Sequence, residues 1–81
     1  MKNFDKEKVV KEFGRYIREE RERKGMIQAE AARKVGCSRS YYCMIESGDR
    51  EIHFTLAVKI CDVLDLSFDN FVKRLKITKT P

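Results

Sequence analysis

The chain has 81 residues, of which 42% are hydrophobic and 38% are charged, and its formal net charge is +5. This length allows one small domain with a single core, and the composition excludes a disordered or a membrane-spanning protein. The N-terminal sequence MKNFDKEK has no apolar signal region, so we expect a cytoplasmic protein. The basic excess favours a polyanionic partner, although a solvated basic surface explains the charge equally well.

The first predicted helix covers residues 5–24. Val9, Phe13 and Ile17 recur at helical spacing and form an apolar stripe on an otherwise charged segment. Gly14 interrupts this helix at a cost of about 1 kcal/mol relative to Ala. A close crossing with another helix at that point would explain the glycine.

Two short helices joined by a sharp turn follow. Residues 28–35 are good helix formers, and Gly36 after them tolerates the left-handed conformation that ends many helices. Ser38 is a predicted N-cap for a helix over residues 39–47. Two helices connected by about three or four residues that include a glycine form a helix-turn-helix arrangement.

The C-terminal part is predicted to form two more helices. Asp65 is the expected end of the first of them, and Ser67 is the expected N-cap of the second. The first should bury an apolar set consisting of Phe54, Ala57, Val58, Ile60, Cys61 and Leu64. Core positions of the helix-turn-helix should be Met26, Ala32, Val35, Cys37, Tyr42 and Ile45.

No segment shows the alternation of a β-strand. We therefore predict an all-α protein, a compact five-helix bundle with a central helix-turn-helix. Its helices are expected at about residues 5–24, 28–35, 39–47, 54–64 and 67–75. Residues 1–75 would form a single helix-turn-helix domain, followed by a short polar tail over residues 76–81.

From Phe13 to Phe71 the chain resembles the Cro/C1-type (XRE-type) helix-turn-helix domain of phage repressors and small bacterial transcription regulators. The matching positions are Phe13, Gly14, Ile17, Arg18, Arg21, Gly25, Met26, Gln28, Glu30, Ala32, Gly36, 38–41, Ile45, Glu46, Gly48, Arg50, Leu64 and 66–69. Each match alone is weak, but their ordered spacing is specific. The resemblance implies a bundle of the lambda-repressor-like DNA-binding type.

The resemblance also implies that the helix beginning at Ser38 lies in the major groove of double-stranded DNA. That groove is about 12 Å wide and admits one helix, and its base edges distinguish all four base pairs. The residues expected to contact bases are Arg39, Ser40, Cys43 and Met44. Arg39 would bind guanine, and Met44 would contact a thymine methyl group. Ordinary solvent exposure is the alternative for each of them.

Other family positions contact the DNA backbone or hold the fold together. The expected backbone contacts are Gln28, Ser38, Tyr41 and Arg50. Such contacts fix the register of the protein on DNA but carry no sequence information. For Tyr41 the alternative is a core tyrosine with a solvated hydroxyl. Arg21 and Glu46 match a pair that forms a salt bridge between the first and third helices in relatives.

Three positions depart from the family pattern. Ile27 replaces the usual Ser or Thr, so the second helix should lack its side-chain cap. Glu20 stands where relatives usually have an apolar residue. Asp49 stands where a basic residue is common, and it would repel a phosphate unless its side chain turns toward Arg50.

Metal binding, cofactors and catalysis are not expected. The three cysteines, at 37, 43 and 61, and His53 lack the spacing of a zinc site. Cys37 and Cys61 are interpreted as small buried apolar groups, whereas Cys43 could be open to oxidation if it faces the groove. No phosphate-binding loop, nucleophile elbow or paired carboxylates indicate an enzyme.

The resulting hypothesis is a sequence-specific transcription regulator, most simply a repressor, that binds DNA as a homodimer. The last segment has more apolar groups than a short helix buries, so the predicted dimer interface consists of Phe68, Phe71, Val72, Leu75 and Ile77. An antitoxin and a restriction-modification controller with the same DNA-binding mechanism are alternatives. Another is a protein-interaction module with a partner such as a toxin or polymerase. RNA binding is less well supported, because no aromatic platform occurs.

Overall fold

The computed structural model describes residues 4–77. Within them the backbone forms five α-helices and no strand, which confirms the predicted all-α five-helix architecture. The helices are α1 (Lys6–Arg23), α2 (Gln28–Val35), α3 (Arg39–Ser47), α4 (Phe54–Leu64) and α5 (Phe68–Ile77). None of the helices in this described range is both long and apolar enough to cross a membrane.

Side-chain caps set most of the helix starts. Ser38 Oγ accepts a hydrogen bond from Tyr41 N at 3.1 Å, and Ser67 Oγ accepts one from Asn70 N at 3.2 Å. Both serines therefore act as the predicted N-caps, since each satisfies a backbone N–H that its helix cannot. The start of α2 has no side-chain cap, as expected for Ile27.

The helix ends follow the same local rules, with one exception. Gly36 after α2 has φ +89°, and Asp65 after α4 has φ +56°, so both lie in the left-handed region that ends a helix. The last helix extends two residues beyond its predicted end at about residue 75, because α5 continues through Ile77. The remainder of the predicted polar tail, residues 78–81, lies outside the described residues.

The core is built where α1 crosses the helix-turn-helix and α4. Its largest fully buried side chains are Tyr42, Ile17, Ile45, Ile60 and Leu64. The predicted core positions Ala32, Val35, Tyr42 and Ile45 are buried, while Met26 and Cys37 are half-buried at its edge. The described core is one continuous apolar cluster to which all five helices contribute.

The prediction for α4 was partly wrong about which residues are buried. Phe54 is 77% exposed and Val58 is also exposed, whereas Leu56 is buried. The buried face of α4 consists of Leu56, Ala57, Ile60 and Leu64. These four positions recur with the period of a helix and lie on one side of α4. The prediction was wrong at the start of the helix, where it placed Phe54 and not Leu56 on the buried side.

Gly14 lies where α1 crosses α3. A Cβ atom at this position would lie 2.4 Å from the carbonyl oxygen of Ile45 and 2.7 Å from that of Glu46. Because these are backbone atoms, they cannot move aside cheaply, and only glycine fits. The predicted close crossing is confirmed.

Two residues of the predicted dimer interface belong to the core of the single chain. Phe71 and Leu75 are 5% and 3% exposed and pack against α1, where the Phe71 ring lies 4.9 Å from that of Phe13. Buried side chains cannot form a surface, so their assignment to an interface was wrong. Phe68, Val72 and Ile77 are exposed.

Candidate nucleic-acid interface

The turn between α2 and α3 is fixed by backbone hydrogen bonds and one cap. Gly36 N and Cys37 N both donate to Ala32 O, at 2.9 and 3.0 Å, which closes the end of α2. Ser38 then starts α3 directly. The three-residue connection leaves α3 in a fixed orientation relative to α2.

The two sides of α3 differ sharply in exposure. Arg39, Ser40 and Met44 are exposed, and Arg39 forms no ion pair with any residue between 4 and 77. On the opposite side, Tyr42 and Ile45 are buried in the core. The helix therefore presents three of the four predicted base-contacting residues to solvent on one side while its other side anchors it.

The predicted pairing of Arg21 with Glu46 is present and buried. Arg21 Nε donates to Glu46 Oε2 at 2.6 Å, and Arg21 Nη2 donates to Glu46 Oε1 at 3.1 Å. The two residues are only 7% and 5% exposed. Arg21 Nη1 also donates to the carbonyl oxygen of Met26 at 2.6 Å. One guanidinium thus joins α1, α3 and the segment before α2.

Protonation of this pair follows from its hydrogen bonds. Burial alone would raise the pKa of Glu46, but hydrogen bonds from Arg21 and Gln28 outweigh burial and hold that pKa below its ordinary value. The same hydrogen bond to Glu46 raises the pKa of Arg21. Both groups are therefore charged at neutral pH.

Tyr42 lies beside the ion pair with its hydroxyl group buried. Burial raises the pKa of Tyr42 well above its ordinary value, and the nearby negative charge of Glu46 adds to this effect. The hydroxyl has no hydrogen-bond partner within the described range. It stays neutral and packs as part of the core.

Gln28, the first residue of α2, is held by two residues of α3. Its Nε2 donates to Glu46 Oε1 at 3.0 Å, and its Oε1 accepts from the thiol of Cys43 at 3.1 Å. Both contacts were absent from the sequence-based predictions, since they join residues 15 and 18 positions apart on different helices. No local pattern signals them. Cys43, predicted to contact bases, is half-buried with its thiol on this amide.

Tyr41 and Arg50, two predicted backbone-contacting residues, lie together. The guanidinium carbon of Arg50 is 5.4 Å from the centre of the Tyr41 ring, which is a cation–π arrangement. Asp49 does not pair with Arg50 in the described chain. Its carboxylate instead accepts a hydrogen bond from Ser47 Oγ at 2.9 Å.

The described residues contain no group of three or more His, Cys, Asp or Glu side chains that could hold a metal ion. Cys37, Cys43 and Cys61 form no disulfide within the described residues. Burial raises the pKa of both Cys37 and Cys61, which keeps those two thiols protonated.

Comparison with known proteins identifies a family that the chain matches. Residues 17–71 match the sequence model of a family described as helix-turn-helix. The matched stretch is more than half of the chain and contains the whole of α2, α3 and α4. No curated protein matches the chain.

Proposed function

The chain belongs to the Cro/C1-type helix-turn-helix family of DNA-binding regulators, and we propose that it represses transcription by binding double-stranded DNA sequence-specifically as a homodimer. In this proposal α3 lies in the major groove. Repression requires only occupancy, because a dimer bound across a promoter excludes polymerase from the same DNA.

The observation that carries the proposal is the exposed first turn of α3, a helix whose opposite side is buried in the core. Arg39 and Ser40 open α3, are exposed, and are held by a helix whose far side is fixed in the core. The Arg39 guanidinium, which has no ion-pair partner among residues 4–77, retains its planar donor fork for the O6 and N7 atoms of guanine. Ser40 and Met44, which are also exposed, would contact neighbouring base edges.

The start of α2 supplies the proposed contact with the DNA backbone. Its first backbone N–H groups have no side-chain cap, and the positive end of the helix dipole favours an anion there. Gln28 adds a side-chain donor at the same place. Arg50, stacked on Tyr41, and the exposed Ser38 would contact further phosphates. The net charge of +5 supports a polyanionic partner.

For the dimer, we assign the interface to the exposed part of the predicted set. Phe68 and Val72 are one turn apart on α5 and both exposed, whereas Ile77 lies half a turn around the helix axis from Phe68. Phe68 also lines an open apolar cleft of about 240 Å³ together with Phe54.

A second copy of the chain is the occupant that suits this cleft. Phe54 is exposed at its rim, so a two-fold axis beside the cleft would let each copy insert its Phe54 into the other. The interface would bury aromatic surface that otherwise faces water. Such a dimer reads two half-sites about one helical turn apart.

The test is selection of bound sequences from a random duplex DNA pool, with the wild type and Arg39→Ala in parallel. We expect the wild type to select a two-fold symmetric site. Arg39→Ala should lose preference at one position in each half-site, at a cost of about 1–3 kcal/mol, because a bidentate contact with guanine is removed. Arg18→Ala is the control, since Arg18 is exposed on α1 and its removal changes the charge equally.

The control variant should select the wild-type site with only a small change in affinity. Loss of the same preference in Arg18→Ala would attribute the effect to net charge and contradict the assignment of Arg39. An asymmetric site would contradict the dimer. Binding that is insensitive to salt would contradict DNA binding itself, because each neutralised phosphate contributes a slope of about -0.9 in log affinity against log salt.

A further inference from the structure

We propose that Cys43 is a positioning residue for the contact between Gln28 and the DNA backbone. Its thiol holds the Gln28 amide so that one amide N–H remains available to a phosphate. This inference rests on the proposed function, since it specifies how the α2–α3 surface binds a phosphate.

The first step is the orientation of the amide. A carboxylate only accepts hydrogen bonds, so the NH₂ group of Gln28 must face Glu46. Gln28 Nε2 lies 3.0 Å from Glu46 Oε1. The carboxylate cannot rotate away, because Arg21 holds both of its oxygens. The amide oxygen of Gln28 is thereby turned toward Cys43.

The second step is the role of the thiol. An amide oxygen accepts hydrogen bonds, and Cys43 places an S–H donor 3.1 Å from it. Cys43 and Glu46 are three residues apart and therefore lie on the same side of α3. Cys43 thus holds the oxygen of the planar Gln28 amide, and Glu46 holds its nitrogen.

The amide of Gln28 retains one further N–H donor. A primary amide has two N–H donors, and Glu46 uses one of them. The other has no partner in the described part of the chain. Gln28 is the first residue of α2, where backbone N–H groups are also uncapped. A phosphate at this helix start can accept from the amide and the backbone together.

The arrangement gives Cys43 a different role from a base-contacting residue. A residue that reads a base changes the preferred sequence when it is removed. A residue that orients a phosphate contact weakens binding to every sequence by a similar factor. The two roles can be separated by measuring affinity for a selected site and for an unrelated duplex.

The experiment measures the affinity of full-length wild type, Cys43→Ala and Cys43→Ser for both duplexes. We expect Cys43→Ala to weaken binding to both by about threefold to tenfold, the value of one neutral hydrogen bond. Cys43→Ser keeps a donor at the same position and should restore most of the affinity. Melting temperatures should stay close to that of the wild type, because a half-buried contact at the surface is lost and the core is untouched.

A double-mutant cycle tests whether Cys43 acts through Gln28. In the Gln28→Ala background, Cys43→Ala should add no further loss, because the amide that it orients is absent. An undiminished loss in that background would overturn the proposal, as would a changed base preference in Cys43→Ala or an unchanged affinity. If wild type bound neither duplex, the proposed function would fail with it, whereas wild-type binding with an unaffected Cys43→Ala would overturn this inference alone.

Discussion

The first and last turns of α3 have opposite physical properties. In the first turn, Arg39 and Ser40 are exposed, and one hydroxyl cap holds the backbone. In the last turn, Ile45 and Glu46 are buried, and the backbone lies against Gly14 of α1. A helix can therefore offer polar side chains to a ligand in a fixed orientation when its other end is anchored in the core.

The last turn is anchored in two independent ways. One is electrostatic, through the paired charges of Glu46 and Arg21. The other is steric, through the absence of a side chain at Gly14. The backbone of the first turn is capped by the hydroxyl of Ser38.

Removing the carboxylate should cause the largest loss. Glu46→Ala leaves the buried guanidinium of Arg21 without its partner and also frees Gln28. Breaking one side of a buried pair costs about 3–5 kcal/mol, mainly because an unpaired charge stays buried. Urea unfolding of the wild type and the variant measures the difference in the free energy of unfolding.

Glu46→Gln is the matched control, because it keeps the shape and one acceptor for Arg21. It also tests pH dependence. Since hydrogen bonds hold the pKa of Glu46 below its ordinary value despite burial, its stabilisation is present at neutral pH and is lost as pH falls through the folded-state pKa. The acid-induced loss of stability should be smaller in Glu46→Gln than in the wild type. Equal losses in both proteins would contradict the role of Glu46.

Adding one methyl group at the crossing should have the next largest effect. Gly14→Ala improves helix propensity by up to about 1 kcal/mol, yet its Cβ would lie 2.4 Å from a backbone oxygen of α3. We expect a net loss of about 1–3 kcal/mol, as for other overpacked sites, measured by thermal unfolding. Arg18→Ala is the control: Arg18 lies one turn after Gly14 in α1 but is exposed, so its substitution should be nearly neutral. A stabilised Gly14→Ala variant would show that the two helices are not in close contact.

Removing the cap of α3 should have the smallest effect. Ser38→Ala leaves the N–H of Tyr41 without its side-chain acceptor, at a cost of about 1 kcal/mol in the free energy of unfolding. Ser40→Ala, two residues later and exposed, should change stability by less than about 0.5 kcal/mol. Ser38→Asp can restore the cap. Equal effects of the two alanine substitutions would mean that the hydroxyl of Ser38 does not stabilise the helix.

The sequence predicted best those features that depend on a few neighbouring residues. Ser38, Ser67, Gly36 and Asp65 mark helix boundaries because a cap and a left-handed residue act within one turn. The Arg21–Glu46 pair is a long-range contact, and only the family resemblance pointed to it. Periodicity alone misjudged which face of α4 is buried, because Phe54 and Val58 continue an apolar pattern beyond the core.

The sequence by itself determined the number and type of the helices. It also determined that α2 starts without a side-chain cap and that α3 starts with one. Local hydrogen bonds and side-chain periodicity are sufficient for those features. Only the tertiary structure decided that Phe71 and Leu75 belong to the core and that Cys43 contacts the amide of Gln28. Both depend on how separate helices meet, since burial and long-range hydrogen bonds are set by packing rather than by neighbouring residues.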